Sequence, residues 1–149
     1  MFSWQNGLIL IFALFNLVVF LQGFYQTKYK KNAFSLTRSL VFLGIFVWGD
    51  AVIFGPFWFS VSVTSLLLKD WDLFLLSISI FWAVRSAGET IYWINQQFST
   101  IKSNPPQTLF GYHIFHNSSI WFIYQIIWQC ITVVSIIFSI YFTHQWLKT

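Results

Sequence analysis

Apolar residues fill the chain in four long runs separated by short polar segments. The runs extend from about Gly7 to Tyr25, Leu36 to Leu68, Trp71 to Phe98 and Ser118 to Tyr141. About 20 helical residues cross ~30 Å of hydrocarbon, so the first, third and fourth runs each suit one crossing. The second is too long for one straight crossing and too short for two. It is interrupted by "GDAVIFGPF", where Pro56 lacks an amide proton and clashes with the preceding turn. A kink or break is therefore expected near Gly55. The pattern predicts an all-α, polytopic membrane protein, a single domain over residues 1–149. Its architecture would be a bundle of four transmembrane helices with a Pro-kinked second helix.

The connections sharpen this outline. "KDWD" between the second and third runs is short, which implies an antiparallel helical hairpin. Residues 99–117 form a longer connection containing "SNPPQ", a combination that stops a helix and starts a turn. The following "TLFGYHIFH" mixes aromatic and polar residues and suits a path along the membrane surface. The N-terminal run has no basic residue before it, and Phe24 and Tyr25 stand where a signal peptidase would need small residues. It reads as a retained first helix rather than a cleaved leader.

Composition agrees with the pattern. Of 149 residues 57% are hydrophobic and only 8% charged, against roughly 25% in soluble domains. The formal charge is +4, yet four of the eight basic residues lie between Lys28 and Arg38. That placement fits a loop beside anionic headgroups, not a nucleic-acid surface. Loops one and three hold Lys28, Lys30, Lys31, Arg38 and Lys102, whereas the termini and loop two hold Lys69 and Lys148. The positive-inside bias then puts both termini outside. Trp4, Tyr25, Trp71, Tyr112 and Trp146 fall near the run ends, where interfacial aromatics anchor.

Polar residues inside the runs are the candidate chemistry. Arg85 and Glu89 are one helical turn apart, about 6 Å along one face. With the second and third runs folded about Asp70, Asp50 lies twenty residues before that turn and Glu89 nineteen after it. Trp82, Arg85, Glu89, Tyr92 and Gln96 recur at helical spacing as a polar and aromatic stripe. Gln125, Gln129 and Thr132 share a face of the fourth run, and Asn16 lies ~14 Å from the inner end of the first. Turned inward, these faces would place Asn16, Asp50, Arg85, Glu89, Tyr92 and Gln129 around one polar centre. A charge at mid-membrane costs about 2.5–3.5 kcal/mol even on lenient scales, so lipid-facing positions are disfavoured. The formal sum of Asp50, Arg85 and Glu89 is −1, which a proton or a bound cation would balance.

Two readings of this centre follow, the first leading and the second its rival. In one it binds or conducts a small polar solute, cation or proton, and four helices per chain then call for a homo-oligomer. In the other its ion pairs fix helix packing, and the chain is an accessory or assembly subunit of a larger membrane complex. A membrane-embedded lipid-modifying enzyme using Asp50 or Glu89 as base ranks third. No GxSxG, P-loop, HExxH or CxxC occurs, so enzymatic activity is not the favoured expectation. His113 and His116 lack a nearby carboxylate or cysteine to complete a metal site, and Cys130 stands alone in an apolar run. No metal or other cofactor is expected, and the expected partner is the lipid bilayer, not nucleic acid. "NSS" at 117–119 matches a glycosylation acceptor but falls on the expected inner side.

Overall fold

A computed structural model describes residues 3–101 and 103–148. Lys102, used in the loop-charge comparison, lies outside the described residues. The chain is 80% helical with no strand among the described residues. Helices α1 (Ser3–Lys28), α2 (Trp48–Leu68), α3 (Trp71–Phe98) and α5 (Ser119–Trp146) are long and apolar enough to cross a membrane. A single-turn helix, α4 (Tyr112–Phe115), precedes α5. The chain divides into two compact units, Met1–Ser77 and Ile78–Thr149, and the boundary falls within α3.

In the first unit α1 and α2 pack antiparallel through small residues. The buried stripe on α2 is Ala51, Gly55, Trp58, Ser62 and Ser65, repeating at intervals of four and three. It meets Gln5, Ile9, Ala13, Asn16, Val19 and Gly23 of α1. A Cβ on Gly55 would lie 2.8 Å from Phe20 Cβ and 2.9 Å from Phe20 Cα, and one on Gly23 would lie 2.5 Å from Ala51 Cβ. Lacking side chains, Gly23 and Gly55 let the two helix backbones approach closely. Further along, the Phe12 ring meets Trp58 edge-on at 5.6 Å, and Trp4 meets Trp71 at 5.5 Å.

The expected second span divides. Helix α2 begins at Trp48, and the apolar residues before it form a hairpin closed by Gly49 N–H to Ala33 C=O at 2.8 Å and Thr37 N–H to Phe46 C=O at 2.8 Å. A 3₁₀ turn at Arg38–Leu43 forms its far end, and Gly44, at φ +73°, reverses the chain. That positive φ is ordinary for glycine and strained for other residues. The far end lies well along the helices. Phe42 stacks on Phe15 at 6.1 Å, and Trp58 Nε1–H donates to Leu43 C=O at 3.0 Å. Phe15 is thirteen residues from the end of α1 and Trp58 ten from the start of α2, or ~15–20 Å of helix. The hairpin thus runs back beside α1 and α2 instead of projecting from their ends. Helix α2 continues through Gly55 and Pro56. Gly55 makes a contact with Phe20, at the position where the sequence suggested a kink or break.

Helix α2 ends at Lys69, whose left-handed φ of 53° turns the chain, and Asp70 Oδ1 accepts Leu73 N–H at 2.9 Å to start α3. This side-chain cap satisfies one of the four amides that a helix start leaves unpaired. The turn is as tight as "KDWD" implied.

The second unit joins α3 to α5 through side chains. Trp82 stacks on Trp128 at 6.4 Å, and Trp93 lies against Tyr124 at 4.6 Å. Trp93, Ile120 and Trp121 form its buried cluster, wrapped by Tyr92, Leu109, Tyr112, Tyr124 and Trp128. Between α3 and α5 the described residues turn through a 3₁₀ segment at Pro106–Thr108 and expose Ile101, Phe110 and Ile114.

Candidate functional site

The six candidate residues fall in both units. Asn16 and Asp50 belong to the first, and Arg85, Glu89, Tyr92 and Gln129 to the second. Within the first unit, Asp50 adjoins Ala51, which packs on Gly23, seven residues and ~10 Å along α1 from Asn16. The two occupy different levels. The expected common layer was counted from the turn at Asp70, which lies twenty residues after Asp50 and nineteen before Glu89.

Asp50 sits in the first turn of α2. Its Oδ2 accepts the N–H of Phe46 at 2.9 Å and of Val47 at 3.3 Å. A carboxylate at the third helical position reaching back to the cap amide is one half of a capping box. The partial positive charge of a helix N-terminus adds to that attraction. The same carboxylate also fastens the returning arm of the hairpin. Thr37 Oγ1–H, donating to Ile45 C=O at 2.9 Å, and Trp58 Nε1–H supply further side-chain bonds to it. Neither Thr37 nor Trp58 stood out in the sequence. Their signal was a threonine and Gly44 inside an otherwise apolar run.

Asn16 is fully buried, and its Nδ2–H donates to Phe12 C=O at 2.8 Å while Oδ1 has no partner. Ser65 Oγ is likewise buried and unpartnered, on the wall of an open groove of about 330 Å³ lined also by Ser60, Thr64, Leu73 and Ser77.

In the second unit Arg85 Nη2 lies 3.5 Å from Glu89 Oε1, a pairing along one helix face with side chains 22% and 15% exposed. This bears out their one-turn spacing. The residues that reach α5 lie beside them. Ser86 accepts a bond from Thr132 Oγ1–H at 2.9 Å, and Gln97 Nε2–H donates to Gln125 Oε1 at 2.7 Å. The shared face of Gln125 and Thr132 is thus directed at α3. Gln129, between them, is half-buried.

The lower part of the α3 stripe holds the connecting loop. Tyr92 Oη accepts a bond from Asn104 Nδ2–H, and Gln96 Oε1 accepts Asn104 N–H at 3.2 Å. Trp121 Nε1–H donates to Asn104 C=O at 2.9 Å. One asparagine therefore ties α3, the loop and α5 together. Its place directly before two prolines, where the chain must turn, was the available signal.

Among the described residues no cluster of His, Cys, Asp and Glu could hold a metal ion. Cys130 is exposed on α5. Asp50, Thr37 and Trp58 bond to backbone groups of the first unit, and Ser86–Thr132, Gln97–Gln125 and Asn104 link α3 to α5 or to the loop between them. No protein-family model, curated protein or solved structure matches the chain. Fold and site define its class coarsely, as an all-helical chain with four helices able by length and composition to cross a membrane.

Proposed function

We propose that the chain is a multi-pass integral membrane protein whose intramembrane charges serve packing, and that it acts as an accessory or assembly subunit of a membrane complex. The observation that carries this is the use made of the charges. Asp50 secures two backbone amides at the head of α2, and Arg85 pairs with Glu89 on its own helix. A pair within one helix neutralises both charges where they stand, without needing a passenger. Membrane insertion is supported by the four apolar helices and by α5, whose outward face carries Ile126, Ile127, Val133, Val134, Ile137 and Ile140. In this reading both termini lie outside, and Pro56 bends α2 without ending it.

A second reading has a specific observation in its favour. Arg85 and Glu89 retain part of their surface, so a small polar solute, cation or proton could reach them. Reconstitution in vesicles separates the two. Wild type and Arg85→Met/Glu89→Gln are followed for pH- and cation-driven flux. The packing reading expects flux at the level of empty vesicles for both. Wild-type flux well above that level, abolished in a folded double variant, would establish the solute reading instead.

A further inference from the structure

We infer that Lys28, Lys30, Lys31 and Arg38, with Phe34 and Leu36, form a docking surface for anionic phospholipids of the leaflet facing the base of the hairpin. The inference rests on the membrane reading above and adds a headgroup preference to it. The hairpin closes where Ala33 meets Gly49, beside the end of α1 that carries Lys28. Its far end reaches Phe15 and Trp58, so the base stays level with the helix ends while the turn runs inward. Non-helical backbone at that depth needs internal partners. Thr37, Asp50 and Trp58 supply them.

Charge and apolarity then meet at the base. The four cations lie within eleven residues, all four side chains are exposed, and no acidic residue precedes Asp50, whose carboxylate is turned to backbone amides. Lys28 Nζ lies 5.1 Å from the Phe24 ring and Lys30 Nζ 5.4 Å from Tyr25, which holds both ammonium groups beside aromatics of the interfacial type. Phe34 is 92% and Leu36 71% exposed next to them. Apolar side chains directed at acyl chains, rimmed by cations at headgroup level, match a phosphodiester headgroup and its tails together. A soluble anion would use the cations and leave Phe34 and Leu36 in water.

The test is native mass spectrometry of the full chain in mild detergent, titrated with dioleoyl-phosphatidylglycerol or dioleoyl-phosphatidylcholine. Wild type should retain the glycerol lipid at least about fivefold more strongly, the effect of about one cation at a membrane surface. Lys28→Gln/Lys30→Gln/Lys31→Gln/Arg38→Gln should bring the two lipids level, whereas Lys69→Gln/Lys148→Gln should keep the preference. Equal retention by wild type, or a preference unchanged in the quadruple variant, would overturn the inference. Should that variant not fold, a salt series on wild type decides, because screening must shrink a charge-based preference. A preference indifferent to salt would refute it. Displacement of the lipid by millimolar glycerol 3-phosphate would point to a soluble phosphate and also overturn it. Flotation with pure phosphatidylcholine vesicles after alkaline washing tests the membrane reading separately. Failure to float sinks both, and flotation without lipid preference sinks this inference alone.

Discussion

Helices α1 and α2 meet backbone to backbone at glycine, while α3 and α5 are linked by the reach of tryptophan, glutamine, serine and threonine. At Gly55 the nearest atoms to an added Cβ are the Cβ, Cα and N of Phe20, two of them main chain. At Gly88, on α3, an added Cβ meets nothing within 4 Å. Gly55 and Gly88 therefore do opposite things. The first permits contact; the second only loosens a helix. The polar groups differ in the same way. In the first unit they satisfy irregular backbone, and in the second they tie one element to another.

The largest expected effect is at Asp50. Asp50→Ala removes the acceptor of the Phe46 and Val47 amides and should cost about 2–6 kcal/mol, at roughly 1–3 kcal/mol for each unsatisfied group. Asp50→Asn keeps an acceptor and should lose about half as much. Hydrogen exchange at Phe46 and Val47 should quicken in the alanine variant, while exchange around Ser86 stays unchanged. Equal acceleration in both units would mean that the carboxylate does not act locally.

Next comes the pair of glycines. Gly55→Ala should cost about 2 kcal/mol, because overpacking against main chain cannot relax. Gly88→Ala should stabilise by about 0.5–1 kcal/mol, since an open helical site gains from reduced chain entropy. Unfolding in detergent, monitored by circular dichroism, gives both values. The same sign at both sites would erase the contrast between the α1–α2 contact and the open site on α3.

These cases also show what the sequence carried. Three apolar runs were legible almost to their ends, because length and hydropathy are what a spanning helix requires. The third was expected at Trp71–Phe98 and is found there. The Arg85–Glu89 pairing followed from helical spacing alone. The hairpin did not, because residues 36–47 are as apolar as a helix and their bonding partners, Asp50 and Trp58, come later in the chain. Gly55 hid a second role for a related reason. Beside Pro56 it marks an expected kink or break, and only the position of Phe20 reveals a contact site. Asn104 likewise gains its role from Tyr92, Gln96 and Trp121. Spacing exposes partners on one helix and hides those from different elements.

The smallest effect concerns a single link in the second unit. A cycle of Ser86→Ala and Thr132→Val should give a coupling of about 0.5–1 kcal/mol, the usual net worth of one hydrogen bond. A coupling near zero would shift the hold between α3 and α5 to the stacked Trp82 and Trp128.

The central claim is that Asp50, Arg85 and Glu89 hold structure, and the Arg85–Glu89 stability cycle tests it most directly. Unfolding free energies are measured for wild type, Arg85→Met, Glu89→Gln and the double variant. Removing Arg85 alone leaves a half-buried carboxylate without its cation and should cost about 1–2 kcal/mol, below the 3–5 kcal/mol of a fully buried pair. Removing both partners strands nothing, so the double variant should stay within about 0.5 kcal/mol of wild type. A double variant that loses as much as the two single variants summed would contradict the account.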